Sequence, residues 1–109
     1  MATSYKVLGQ ITPNAASATT LYTVPAATQT VVSTIIACNQ NTSAGTIRIS
    51  VRPDGATQES KHYLVYDAAL ASNQTIAFTL GITGDASDVI TVQSSNAQTS
   101  FSAFGSEVA

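Results

Sequence analysis

Charged side chains are scarce in this chain of 109 residues. It has four Lys and Arg and six Asp and Glu, so that charged residues make up 9% of it, against roughly 25% in an ordinary soluble protein. Nucleic-acid-binding proteins neutralise phosphates with clusters of Lys and Arg, and the net charge here is −2. We therefore expect no nucleic-acid partner, and we expect that an assembly buries part of this weakly charged surface.

Other absences exclude further classes of protein. Cys38 is the only cysteine, so no internal disulfide can form. The sequence contains no run of about 18 apolar residues, so it predicts no membrane-spanning helix. His62 is the only histidine, and a catalytic histidine needs a nucleophile and an orienting partner beside it. The pattern marks no such set, so the sequence predicts that the chain is not an enzyme and uses no cofactor.

The strongest strand signals lie at residues 30–52. Residues 30–38 are β-branched and apolar on both faces, and residues 46–52 alternate strictly between apolar and polar side chains. The polar stretch 39–45 between them ends in Gly, which is typical of a β-hairpin. We expect strand 46–52 to bury one face, and strand 31–38 to be covered on both faces, either because it is central or because one face meets another subunit.

The rest of the chain repeats this short-strand pattern. A second hairpin connection is predicted at 95–98, and residues 67–73 are expected to hold at most a helical turn. Further strands are predicted at 5–10, 21–24, 61–66, 75–80, 89–94 and 99–104. About eight short strands with turn signals between them predict an all-β fold, an antiparallel β-sandwich or jelly roll. The expected organisation is a first strand and extended arm over 1–20, a β-sandwich domain over 21–105 and a tail over 106–109.

One loop carries the pattern that best suggests a metal site. Asp85 and Asp88 lie three residues apart in a Gly-containing loop with Ser87, and calcium takes several oxygens from one loop. The alternative is an ordinary turn, in which Gly adopts a positive φ and Asp bonds to nearby backbone. We favour the turn, and we predict no metal site while keeping both aspartates as weak candidates.

Two sets of residues are candidates for contacts with partners. Arg48 and Arg52 share the outward face of strand 46–52, and Val31 and Ile35 share the second apolar face of strand 31–38. These four are predicted interface residues, although the two arginines could equally be a solvated face. A separate candidate is a glycan site, in which aromatic rings stack on a sugar. The predicted stacking residues are Tyr22, Tyr63 and Tyr66, in a chain without Trp.

Several stretches give the chain a resemblance to small virion structural proteins of tailed bacteriophages, of the cyanophage type. They cover most of the chain and consist of strand-and-turn patterns. They are Gly9-Gln10, Leu21-Tyr22-Thr23-Val24-Pro25, Val32-Ser33-Thr34-Ile35 leading to Asn39, Tyr63-Leu64-Val65-Tyr66-Asp67 and Phe101-Ser102-Ala103-Phe104-Gly105. The resemblance implies a virion-located β-sandwich that decorates the capsid or belongs to the neck, tail or fibre, and it brings no catalytic residues.

These observations together predict a non-enzymatic virion protein. We expect a capsid decoration (cement) protein that stabilises the coat through many weak contacts. The alternatives are a small tail, neck or fibre component, or a glycan-binding β-sandwich module. The expected partners are the major capsid protein or other virion proteins, together with further copies of the chain in a homo-oligomer that could be a trimer, and no membrane or nucleic acid.

Overall fold

The structure is a computed structural model that describes residues 2–109. Its regular elements are strands and two short 3₁₀ turns, at Pro53–Gly55 and Ser60–His62. The strands are β1 (Thr3–Ile11), β2 (Thr19–Thr23), β3 (Gln29–Asn39), β4 (Gly45–Arg52), β5 (Tyr63–Leu70), β6 (Thr75–Phe78), β7 (Ile82–Gly84), β8 (Val89–Ser94) and β9 (Thr99–Val108). No helix among residues 2–109 is long and apolar enough to cross a lipid bilayer.

The strands form two antiparallel sheets that pack face to face. Sheet A has the order β1-β9-β3, and the far edge of β3 pairs with β7 along one half and β6 along the other; sheet B has the order β2-β8-β4-β5. The pairs β1·β9, β2·β8, β3·β7/β6 and β4·β5 are those of one long antiparallel ribbon. Rolling up that ribbon adds the pairs β9·β3 and β8·β4. This is the jelly-roll form of the β-sandwich, so the predicted fold class is confirmed.

The two predicted hairpins, one over 30–52 and one with its connection at 95–98, are wrong, because their two strands do not pair with each other. β3 lies in sheet A and β4 in sheet B, and β8 and β9 are divided in the same way. The connections therefore cross the roughly 10 Å between two packed sheets. Asn39 organises the first crossing, since its buried amide donates to the carbonyls of Ser43 (3.1 Å) and Ala71 (3.1 Å). A Gly-containing polar loop has much the same composition whether it joins strands of one sheet or of two.

A bulge in β3 decides which of its side chains enter the core. The register with β9 shifts between Val32 and Thr34, and such an extra residue reverses the face of everything beyond it. Val32 and Ile35 therefore share the core face, with 3% and 1% of their surfaces exposed, while Val31 is 49% exposed. The expected grouping of Ile35 with Val31 is wrong for this reason.

Strand boundaries also differ from those expected at two places. The Ala-rich stretch after residue 66 continues β5 as far as Leu70, and it forms no helical turn. Residues 106–108, expected as a tail, are the end of β9, where they pair with β1 on one side and β3 on the other. β9 is thus an internal strand of sheet A up to Val108.

Residues 2–20, within the segment predicted as a first strand and extended arm over 1–20, pack on the sandwich. β1 pairs with β9 along its length, Pro13 is buried, and the amide of Ala16 donates to the carbonyl of Ser94 at 2.7 Å. A Cβ atom at Gly9 would lie 2.2 Å from the carbonyl oxygen of Leu21. β1 therefore approaches β2 so closely at this position that any side chain would force the backbone to move. The N-terminal segment therefore packs on its own domain.

Candidate functional site

Among residues 2–109, the strand residues that the register places on the outer face of sheet A are all uncharged; Lys6, Asp85 and Asp88 line depressions at its margins. Directly paired residues of neighbouring strands share a face, and the row Tyr5, Ser106, Val31, Thr83 crosses four strands. We call this surface the uncharged face. It consists of Thr3, Tyr5, Val7, Gln10, Gln29, Val31, Ser33, Thr34, Ile36, Cys38, Thr75, Ala77, Thr83, Ser100, Ser102, Phe104, Ser106 and Val108.

One end of the uncharged face exposes large apolar side chains. Tyr5 is 84% exposed, Val7 50% and Val31 49%, and Phe104 is half-buried beside them. These residues line a shallow groove of about 470 Å³ together with Lys6, Ser33, Gly105 and Ser106. A contiguous exposed apolar patch on a protein surface generally marks a contact with another molecule.

A second surface feature lies on the outer face of sheet B, where a bulge in β5 brings two consecutive side chains together. The register places Tyr66 and Asp67 opposite the single residue Arg48 of β4. Asp67 has a φ of 53°, a left-handed conformation that Asp adopts more readily than most residues. The bulge therefore re-aims the Asp67 side chain. We call Arg48, Tyr63, Tyr66 and Asp67 the tyrosine cluster.

The side chains of the tyrosine cluster hold one another in place. Arg48 donates from Nε to Asp67 Oδ1 at 2.7 Å and from Nη2 to Oδ2 at 3.2 Å. Its guanidinium carbon lies 4.1 Å from the ring centre of Tyr66, and the Tyr63 and Tyr66 rings meet edge to face with centres 4.9 Å apart. The hydrogen bonds from Arg48 lower the pKa of Asp67, and those to Asp67 raise the pKa of Arg48.

Tyr63 and Tyr66 line an open depression of about 530 Å³ together with Gln58, Glu59 and Ser60. The segment 58–60 is anchored, because Ser50 donates to the Gln58 amide oxygen at 2.8 Å and the Glu59 amide donates to Nδ1 of buried His62 at 3.0 Å. His62 thus has a structural position beside the depression, within a 3₁₀ turn.

Tyr22, the third predicted stacking residue, lies elsewhere. It is 7% exposed and points between the sheets, where its hydroxyl donates to the Glu107 carboxylate and shares a 2.8 Å hydrogen bond with Thr30. Burial, followed by the bond to Glu107, raises the pKa of Tyr22 to about 12. Tyr22 is therefore not available at the surface for stacking on a sugar.

The two candidate metal ligands bind backbone amides. Asp88 accepts from the amides of Asp54 (2.8 Å) and Asp85 (2.9 Å), and Asp85 accepts from the amide of Ala86 (2.9 Å). The carboxylates thus hold the loop conformation, in which Ser87 has a φ of 72°. Among residues 2–109 no group of three or more His, Cys, Asp or Glu could hold a metal ion.

The four predicted interface residues occupy different environments. Val31 lies on the uncharged face, Ile35 is in the core, and Arg48 belongs to the tyrosine cluster. Arg52 holds the turn that follows β4, where its Nη1 donates to the carbonyl of Ala56 at 2.8 Å and its Nε to the Thr91 hydroxyl at 3.2 Å. The fold therefore does not bring these four side chains into one contact surface.

Two comparisons with known proteins supply no relative from which a function could be proposed. No protein-family model matches the chain, and a search of curated proteins found no match. The functional argument below accordingly starts from the uncharged face and the tyrosine cluster.

Proposed function

We propose that this chain is a non-enzymatic structural protein of a tailed-bacteriophage virion, a decoration (cement) protein that binds the capsid. The observation that carries the proposal is the uncharged face, which lacks charge across every strand of sheet A. The resemblance to small virion proteins supports it, and jelly rolls recur in viral capsid and lectin domains. A fold does not by itself imply a function, so the surface is the main support.

The dimensions of the uncharged face suit a protein–protein contact. Four strands spaced about 4.8 Å apart and about ten residues long, at about 3.3 Å per residue, give roughly 600 Å². A standard interface takes about 800 Å² from each partner. Apolar and hydroxyl side chains favour an equally uncharged partner surface, and we propose that this partner is the coat protein. Repetition of such contacts over a coat lattice would add up through multivalency.

A lysine on the uncharged face is expected to weaken binding to the particle. Val31→Lys would bury an unpaired charge in the contact, and we expect about ten- to hundredfold weaker binding, which is about 1.4–2.8 kcal/mol. The matched control is Leu64→Lys, because Leu64 is 47% exposed and Val31 is 49% exposed. Purified variants would be mixed with particles that lack the chain, and the bound fraction would be measured after sedimentation. Equal loss in both variants, or none in Val31→Lys, would contradict the role of this face.

Binding to the particle is also expected to resist salt. Contacts between apolar and hydroxyl groups are not screened, whereas at about 1 M salt the Debye length falls to roughly 3 Å and surface ion pairs weaken. Particles washed at low and at high salt should keep equal amounts of the chain, as quantified by mass spectrometry. Release at high salt would indicate an ionic contact, and absence of the chain from purified particles would reject the proposal.

The position in the particle and the number of copies belong to the same proposal. A cryo-EM map with this density on the head would support a decoration protein, and density on the tail, neck or fibre would support the alternative. We also propose a homo-oligomer, for which a trimer is one arrangement, because only four basic residues are available to protect sheet edges. Sedimentation as a monomer at high concentration, both alone and with coat protein, would contradict this part.

A further inference from the structure

The tyrosine cluster has the properties of a built binding site. Tyr66 is 59% exposed, yet Arg48 lies against its ring at 4.1 Å and Tyr63 meets it edge to face. Asp67, which fixes Arg48 from the bulge, holds a backbone conformation that costs free energy and that is frequently found at functional sites. A ring that is already held in place loses little conformational freedom on binding, which favours affinity.

The chemistry of the cluster fits a sugar. The C–H groups of a pyranose ring carry slight positive charge and are attracted to the negative face of an aromatic ring. Next to the rings, Arg48 has five N–H donors and uses two of its nitrogens on Asp67. The remaining donors and the carboxylate lone pairs form an adjacent donor–acceptor set, and two neighbouring hydroxyls of a sugar offer the complementary arrangement.

The charges around the depression select among sugars. The positive charge of Arg48 is compensated by Asp67 at 2.7 Å, and Glu59, which lines the depression, adds a negative charge. A carboxylated or sulfated sugar would therefore meet net repulsion, since mismatched charge across a contact is costly. Gln58 and Ser60 complete the lining with neutral hydrogen-bonding groups that suit hydroxyls.

We propose that the tyrosine cluster and the adjoining depression bind a neutral glycan, through stacking on Tyr63 and Tyr66 and hydrogen bonds to Arg48 and Asp67. The cluster lies on the outer face of sheet B, and the uncharged face is the outer face of sheet A. Because the two outer faces of a sandwich point in opposite directions, a copy attached through sheet A presents the cluster away from its attachment. Glycan binding is thus compatible with the function proposed above and does not depend on it.

A glycan array tests this proposal. The purified full chain would be applied to an array of neutral, carboxylated and sulfated glycans, which presents each sugar multivalently and so detects weak sites. The variant is Tyr66→Ala and the matched control is Tyr5→Ala, because Tyr5 is the other highly exposed tyrosine, at 84%. Circular dichroism and thermal melting would show that both variants are folded. A second variant, Arg48→Lys, keeps the charge but loses the two-pronged hydrogen bonding to Asp67.

The expected result is binding to neutral glycans by the unmodified chain and by Tyr5→Ala, with at least a tenfold weaker signal for Tyr66→Ala and a reduced signal for Arg48→Lys. Silence across the array, a preference for acidic glycans, or equal loss in Tyr5→Ala and Tyr66→Ala would overturn the proposal. Attachment of Tyr66→Ala to particles should be unchanged, so failure of glycan binding and failure of the virion function are distinguishable.

Discussion

Replacement of Phe101 by alanine is expected to lower the free energy of unfolding by about 3–5 kcal/mol, as for other large buried aromatic side chains. Phe101 has 0% of its surface exposed and lies on β9, the strand that pairs with both β1 and β3. Small domains are stable by only about 5–15 kcal/mol, so this loss is a large share of the total. Urea unfolding followed by circular dichroism measures it directly.

Phe104 provides a control on the same strand. It lies three residues further along β9, on the uncharged face, and is only half-buried. Phe104→Ala should therefore cost under about 1.5 kcal/mol of stability, because less apolar area leaves water in the folded state, while it weakens attachment to the particle. Equal destabilisation by the two substitutions would mean that the Phe101 ring is not the centre of the core.

The alternation of apolar and polar residues shows how much of the core the sequence could predict. Alternation in 46–52 correctly placed Ile47 and Ile49 in the core, where they are 1% and 0% exposed, because a regular strand has a period of two residues. The bulge in β3 changes that period by one residue at Ser33, and no residue type there announces it. Alternation is thus informative within a regular strand and fails on the far side of a bulge.

The candidate site was predictable in part. Tyr63 and Tyr66 were proposed together from the sequence, and both lie in the tyrosine cluster. The contribution of Asp67 depends on a second bulge, so it was missed. Tyr22 was misplaced because its buried partner Glu107 is 85 residues away along the chain, and such a pairing leaves no local pattern.

The uncharged face left a clearer signal in the sequence. Alternate residues of β9, namely Ser100, Ser102, Phe104, Ser106 and Val108, are all uncharged, and the one charged residue of the strand, Glu107, falls on the opposite face. The tail expected at 106–109 hid this pattern, because it removed the last residues from the strand. Extending the alternation to Val108 would have found the surface.

Glu107 carries the second prediction with a large effect. Its side chain is 11% exposed and pairs with Lys6 from β1, and it accepts a hydrogen bond from Tyr22 of β2. One carboxylate thus links the edge strands of both sheets to internal strand β9. Glu107→Gln removes the charge from these bonds and should cost about 1.5–3 kcal/mol at pH 7, since hydrogen bonds to charged groups contribute that much.

The effect of Glu107→Gln should depend on pH in a defined direction. The hydrogen bonds from Lys6, and next from Tyr22, lower the pKa of Glu107 in the folded protein, so the unfolded chain binds this proton more tightly. The stabilisation is therefore fully present above the ordinary glutamate pKa of about 4.3, and it is lost as the pH falls through the lower folded value. The difference in the free energy of unfolding between the unmodified protein and Glu107→Gln should shrink as the pH falls below about 5.

Thermal melting between pH 7 and pH 3 measures this difference. The control is Asp54→Asn, which removes the same charge from an exposed turn residue whose φ of 56° asparagine also adopts readily. Glu107→Gln should show a shallower decline with falling pH than the unmodified protein, and Asp54→Asn shows what loss of an exposed carboxylate does by itself. Asp67, whose pKa is also lowered, remains in both variants. It therefore contributes to the loss of stability at low pH that persists in Glu107→Gln. Parallel curves for Glu107→Gln and the unmodified protein would mean that Glu107 does not hold the edge strands through its charge.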